Sequence, residues 1–227
     1  GIKEGKDFKV RYEESMLTAN RYAVTETQLE SDAVDLIMTS LDQYFKYRRD
    51  DRIIVHAVEV PFSKVLYIGP DLKGEDITVI YQGKMDLVAE EAGEKEVIDH
   101  KTTSRNAEPV DFRIQFMGYR WASGFKVVVN NFGLQKTLQP SAKFKRYPFT
   151  YTPEAIENWK RFAIGKALEY AYSLETGEFP QNFGSCETGF GTCAYINMCR
   201  WPSLQDETRN FEFRVDEVWD VYSERNT

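Results

Sequence analysis

An α/β fold, a central mixed sheet flanked by helices, is what this sequence predicts, on three observations. Two amphipathic helix patterns bracket a region rich in β-branched residues. Two of the extended runs there are joined by a short Gly-bearing connection, and a helix then leads into a further Val-rich strand. Between Thr27 and Arg48, Leu29, Ala33, Val34, Ile37, Met38, Leu41, Tyr44 and Phe45 recur at three- and four-residue steps. Thr27 with Glu30 has the spacing of a capping box, so a helix is predicted there. Ile53 to Phe62 reads as a strand ending near Pro61. Ile77 to Ala89 and Lys95 to Thr102 read as an antiparallel pair around Glu90-Glu91-Ala92-Gly93-Glu94.

From Val110 or Asp111 to Ser123, Phe112, Gln115, Phe116 and Tyr119 keep helical spacing, and Gly124 is the stop. Val127-Val128-Val129 is a short strand with Phe144 to Thr150 as its partner. Thr152-Pro153-Glu154 opens a helix with a hydroxyl N-cap and Pro at its first position, and Gly177 closes it. Its apolar face is expected to be Ile156, Trp159, Phe162, Ala163, Ala167, Tyr170 and Leu174. Phe179 to Trp201 is irregular and holds every Cys, and Phe211 to Tyr222 is an ambiguous last element.

The 227 residues are 42% hydrophobic with 14 Gly and 8 Pro, which excludes disordered, collagen-like and mucin-like classes. No repeat or linker divides them, so one domain over 1–227 is expected, with 179–201 as a cysteine-containing C-terminal lobe. The net charge of -7 argues against general attraction to nucleic acid or anionic lipid but leaves room for a local basic channel. No apolar run approaches membrane-spanning length and Gly1-Ile2-Lys3-Glu4-Gly5 lacks a signal core, so the chain reads as cytoplasmic and without a membrane partner. Gly1 in place of Met implies that a natural N-terminus is missing.

The connection between the paired strands is the informative feature. With the turn centred between Ala92 and Gly93, Asp86 and Asp99 are each six residues out and oppose each other across the ladder. Facing carboxylates destabilise a bare sheet, so a protonated carboxyl, another register or an intervening cation is required, and hard oxygen ligands on strands suit Mg²⁺ or Mn²⁺. Lys101 projects to the face of Asp99 because strand side chains alternate with period two. The alternative is a solvated strand face with Lys101 as counter-ion.

Three motifs carry a resemblance: Gly83-Lys84-Met85-Asp86, then Val97-Ile98-Asp99-His100-Lys101-Thr102-Thr103, then Gln115-Phe116-Met117-Gly118-Tyr119. In this order they resemble the PD-(D/E)xK nuclease superfamily, in its RecB-like branch: G-x-x-D, a strand with D-x-K-T, and a helix with Q-x-x-x-Y. Val58-Glu59-Val60-Pro61-Phe62 resembles the acidic strand preceding the first motif. The resemblance implies a restriction-endonuclease-like core and a metal-dependent deoxyribonuclease, an exonuclease acting on DNA ends in recombination, repair or phage DNA processing. A bacterial or phage-type context, with a helicase or recombination protein as partner, follows from the same likeness.

It further implies that Asp86 and Asp99 hold the metal, with the His100 backbone carbonyl and Glu59 as additional ligands. Lys101 orients water or stabilises the pentacovalent phosphorus, and Gln115 and Tyr119, four apart on one helix face, position lysine or substrate. The alternative for Tyr119 is a core aromatic and for Gln115 a helix-surface residue; Gly83 marks either close approach of substrate or a bulge. Arg105, Arg113 and Arg120 around that helix, and Lys143, Lys145 and Arg146 alternating with Phe144 and Tyr147, are candidate DNA contacts or else an ordinary solvated edge. Cys186, Cys193 and Cys199 resemble the three C-terminal ligands of a four-iron, four-sulfur cluster whose fourth Cys is absent here; the alternative is three reduced thiols packed in a small lobe. Two rivals stand beside the nuclease: a catalytically silent nucleic-acid-binding or scaffolding module on the same fold, and an unrelated α/β protein whose cysteine tail binds zinc.

Overall fold

The structure, a computed structural model, describes residues 16–18, 31–103, 113–134, 138–188, 191–193, 196 and 199. Its sheet is organised by the turn Ala92–Gly93, where both residues have positive φ (54° and 85°), as a two-residue turn of the hairpin-favouring hand requires. The turn joins β2 (Asp76–Glu91) to β3 (Glu94–Thr103), in register from Glu91↔Glu94 to Leu87↔Ile98. β1 (Ile54–Pro70) pairs antiparallel with β2 along its whole length. α2 (Ile114–Ser123) then carries the chain over one face into β4 (Lys126–Gly133), which runs parallel to β3, and β5 (Phe144–Phe149) closes the far edge antiparallel to β4. The five-stranded order is β1-β2-β3-β4-β5.

The strand expected to stop near Pro61 continues to Pro70. β1 is an edge strand, where a proline's missing N–H removes no ladder bond on the solvent side, and Pro61 still pairs with Lys84. The Val-rich strand is likewise longer than expected, from Lys126 to Gly133. The motif helix begins at Ile114 and ends at Gly124 in the left-handed conformation (φ 74°). Residues 104–112, Thr27, Glu30 and 211–222 lie outside the described residues.

Consecutive residues of β3 and β4 sort the two faces. Val97, Val127 and Val129 join Met85, Phe116, Tyr119, Ala122 and Phe149 under α2, whereas Ile98 and Val128 join Ala89 on the opposite face. α1 (Ser31–Tyr47) lies on that opposite face, with the Tyr44 ring 4.5 Å from Phe132 and 5.5 Å from Phe144. The short α3 (Pro140–Lys143) leads into β5. α4 (Pro153–Thr176) returns to the α2 side, its start capped by Thr152 Oγ1, which accepts from the Ala155 N–H at 3.2 Å. It packs through Ile156, Trp159, Ala163 and Ile164 against Leu66, Val79, Tyr81 and Trp121 of the long β1–β2 arm and α2. Phe162, Tyr170 and Leu174, expected on the buried face, are exposed: a helix of 24 residues runs about 36 Å, and its tertiary packing is concentrated in the N-terminal half.

Candidate active site

Two residues apart on β2, Met85 packs in the cluster under α2 while Leu87 packs with Ala89 and Ile98 on the opposite face. Regular alternation would put both on one face, so the strand turns over at Asp86. On β1 the same step falls at Glu59, which stands between the pairs Val58↔Leu87 and Val60↔Met85 and has a positive φ of 49°. The β2–β3 ladder ends beside it at Leu87↔Ile98, although β2 and β3 each continue, paired to β1 and β4. Carried one step further, that register sets Asp86 opposite Asp99, at the point where the two strands part.

Two backbone groups at the parting are taken by side chains. The His100 N–H donates to Asp86 Oδ2 at 2.8 Å, and the Lys84 carbonyl accepts from Tyr119 OH at 2.8 Å. Gln115 Nε2 donates to Tyr119 OH at 2.8 Å and to Asp99 Oδ1 at 3.3 Å. Gln115 and Tyr119 therefore bridge β3 to β2 across the gap, which four-residue helical spacing allows by placing both on one face of α2. Gly118, between them, lies against Tyr81: a Cβ there would stand 2.0 Å from the phenol oxygen, so only glycine lets α2 settle this close. Tyr119 is buried, and desolvation holds its phenol well above the ordinary range, so it acts as a hydrogen-bonding hydroxyl.

Asp99 is fully buried. Lys101 Nζ donates to its Oδ1 at 3.1 Å and lies 2.9 Å from Oδ2, yet Oδ2 has no aligned hydrogen bond; the ammonium is an ion-pair neighbour to that oxygen rather than a donor to it. Burial raises the Asp99 pKa and the nearby Asp86 charge adds to the rise, outweighing the lowering by Lys101 and Arg113. A buried carboxylate with one oxygen free of an aligned hydrogen bond, beside a second carboxylate, fits the hard oxygen donor set of a divalent ion. Among the described residues, the three-carboxylate grouping with ligand atoms within 4.8 Å of one another is elsewhere, at Asp71, Glu75 and Glu175. Glu59 is level with Asp86 but exposed, and it does not join Asp86 and Asp99 in such a group.

The other expected site residues divide sharply. Arg113 is exposed at the start of α2, its guanidinium 6.0 Å from the Phe116 ring, and Arg120 donates to the Gly124 carbonyl at its own helix end. Arg105 lies outside the described residues. Lys143 and Arg146, read as phosphate contacts, are instead spent inside the fold. Lys143 is 2% exposed and donates to Gln43 Oε1 at 2.8 Å. Arg146 donates to Asp51 Oδ2 (2.6 Å), Glu91 Oε1 (3.1 Å) and Asn130 Oδ1 (3.1 Å). Lys145 is half-buried on β5. Gly83 needs neither a substrate nor a bulge: the Phe62 ring occupies the space above it, 2.8 Å from where a Cβ would stand. Cys186, Cys193 and Cys199 are free thiols, the first two half-buried and the third exposed. The Cys193 N–H donates to the Cys186 carbonyl at 2.9 Å beside the small ladder of β6 (Glu187–Thr188) and β7 (Gly191–Thr192).

Asn130 and Asn131 were not singled out from the sequence. They are buried mid-strand on β4, and Asn130 Nδ2 lies 3.3 Å from His100 Nε2 while its oxygen accepts from Arg146. Two consecutive amides ending a Val-Val-Val run were the available signal.

The sheet thus parts beside two acids, with an ammonium and a helix-borne glutamine closing the gap. A model of the PD-(D/E)XK nuclease superfamily matches residues 8–200, and the chain belongs to that superfamily. Its members are nucleases, phosphodiester hydrolases that typically work with divalent metals. No curated protein matches the chain. A solved structure titled "Crystal structure of SSO0001" is similar at 16% identity and a TM-score of 0.36, over 68% of this chain and 66% of that one, just under two thirds of its length. No helix among the described residues is long and apolar enough to cross a membrane.

Proposed function

We propose that this protein is a Mg²⁺- or Mn²⁺-dependent deoxyribonuclease that degrades DNA from its ends, as one nuclease domain with residues 179–201 as its C-terminal lobe. The observation that carries the reading is the buried Asp99 carboxylate, paired with Lys101 at 2.9 Å and set opposite Asp86 where β2 and β3 separate. Asp86, Asp99 and the His100 carbonyl would hold the ion, with Glu59 in reach only after its side chain turns inward. When bound, the ion supplies Lewis-acid stabilisation of charge gathering on the phosphoryl oxygens and makes an attacking water more acidic. Lys101, already beside Asp99, places a compact positive charge against the phosphate and holds the water for in-line attack. The new bond joins the water oxygen to phosphorus as that water gives up a proton to solvent, the bond to the leaving sugar oxygen breaks, and that oxygen takes a proton from solvent. Gln115 acts by fixing Asp99, and Tyr119 by fixing Gln115.

The nuclease is tested on linear and covalently closed circular DNA with Mg²⁺ or Mn²⁺. Degradation of linear DNA alone supports action at ends; cleavage of the closed circle makes it an endonuclease, and no cleavage of either, with the protein folded, removes the enzymatic reading. Soaking crystals in Mn²⁺ should give an anomalous peak between Asp86 and Asp99. Cys186, Cys193 and Cys199 belong to the same reading as three thiolates of an iron–sulfur cluster, a fourth ligand being needed. Iron analysis of anaerobically purified protein tests that, and absence of iron ends it. A cytoplasmic setting in a bacterium or phage, beside a helicase or recombination protein, completes the proposal.

A further inference from the structure

The sheet face that holds Asp99 changes sign from one side to the other. Register runs Lys101↔Asn131 from β3 to β4 and Asn131↔Lys145 from β4 to β5, so these three residues form one row across three strands. Asn131 shares its face with Val127 and Val129, and Lys145 shares its face with Tyr147 and Phe149, all packed in the cluster under α2. The intervening residues Arg146 and Phe144 turn to the α1 side, where the Phe144 ring meets Tyr44 and Arg146 meets Asp51 and Glu91. Acids occupy this row's neighbourhood on β2 and β3, and ammonium groups occupy β3 and β5.

Of the three basic residues at 143, 145 and 146, two are committed to internal partners, whereas no side-chain hydrogen bond or ion pair engages Lys145 among the described residues. A strand spacing of about 4.8 Å sets its Cα about 10 Å from that of Lys101. Phosphates recur about every 3.4 Å of axis along one strand of a duplex, so this span corresponds to a few nucleotides. We propose that Lys145, continuing the Lys101–Asn131 row, is a second phosphate subsite of the nuclease, holding a backbone phosphate of the same strand beyond the one that is cut. This rests on the nuclease reading above. An edge-strand lysine also deters strand addition, but that role predicts no dependence of DNA affinity on its charge.

The test measures binding of a short fluorescein-labelled single-stranded oligodeoxynucleotide, in EDTA and over a range of salt, by wild type, Lys145→Ala, Lys145→Glu, Lys145→Arg and Lys166→Ala. Lys166 is a control because it pairs with Glu169 on the exposed side of α4. Lys145→Ala should bind about 3- to 10-fold more weakly and reduce the salt slope by about 0.7, the share of one phosphate contact on a single strand. Lys145→Glu should bind more weakly still, and Lys145→Arg and Lys166→Ala should match wild type. With Mn²⁺ present, Lys145→Ala should raise KM and leave kcat within about twofold, the mark of lost uniform binding. An unchanged slope in Lys145→Ala, with wild type binding and cleaving normally, overturns the subsite alone. Wild type that neither binds nor cleaves overturns the nuclease reading with it.

Discussion

Two groups of acids in this molecule look alike on paper and behave in opposite ways. At the tip of the β1–β2 arm, Asp71, Glu75 and Glu175 bring their carboxylate oxygens within 4.8 Å of one another. Asp71 Oδ1 accepts from the Lys73 and Glu75 N–H groups at 2.8 Å each, Glu175 pairs with Lys73 at 3.0 Å, and those backbone hydrogen bonds lower the Asp71 pKa. At the parting of β2 and β3, Asp99 is buried, its Oδ2 lies 2.9 Å from Lys101 Nζ without an aligned hydrogen bond, and its pKa is raised by burial. The cluster of three is the satisfied one. What separates the two groups is burial: the exposed acids are met by backbone donors, whereas Asp99 is taken out of water beside another acid with a lysine as its counter-ion.

The largest expected contrast is in catalysis. Asp99→Asn should lower divalent-dependent DNA cleavage by at least about 10²–10³-fold, several kcal/mol of lost transition-state stabilisation, while Glu175→Gln leaves it unchanged. Comparable losses in a cleavage assay would place the chemistry at the wrong cluster. Lys101→Ala should cost about 10²–10³-fold in kcat, and Lys101→Arg should recover little of it, since a planar guanidinium cannot stand where a compact ammonium sits against Asp99. Full activity in the arginine variant would reduce the lysine to a counter-ion.

Smaller effects sharpen the same contrast. Tyr119→Phe removes the hydroxyl that orients Gln115 and satisfies the Lys84 carbonyl, at about 1–3 kcal/mol, and each kcal/mol lowers Tm by about 2–4 °C. An unchanged melting curve would mean that this hydroxyl holds nothing. The pH dependence of metal-free stability should have opposite signs at the two groups. For Asp99, with its folded pKa raised, stability is greatest below the ordinary value of 3.8 and is lost as pH rises from there through the raised value. For Asp71, with its folded pKa lowered, the contribution is present above 3.8 and lost as pH falls below it. Thermal melts of Asp99→Asn in EDTA should therefore lie above wild type near neutral pH, and Mn²⁺ should narrow the difference by stabilising wild type alone.

Much of this was legible in the sequence because it is written locally. The Ala92–Gly93 turn fixes the register that sets Asp86 against Asp99, and Thr152, Pro153, Gly124 and Gly177 mark helix ends within a few residues of themselves. The misreadings were non-local. Pro61 ends a strand only if the strand is internal, and sheet order is invisible in a single run of residues. Lys143 and Arg146 alternate with aromatics as a solvated edge would, but their partners Gln43, Asp51 and Glu91 come from segments far away in the chain. The reversal of β1 and β2 at Glu59 and Asp86 left no signature in hydropathy, since both strands turn over together.

The turn between β2 and β3 is exposed and holds no chemistry, yet it sets the spacing of the whole apparatus from about 20 Å away, six residues at about 3.4 Å each. Inserting one residue beside Gly93 either converts the turn to a three-residue loop or slides β3 by a single step against β2. If β4 kept its hold on β3, the two acids would no longer be level; if β2 kept its hold, Asp99 would swing to the α1 side and leave Gln115 reaching for an isoleucine. Loop length, ordinarily the most forgiving property of a surface connection, is here coupled to the register of the two acids.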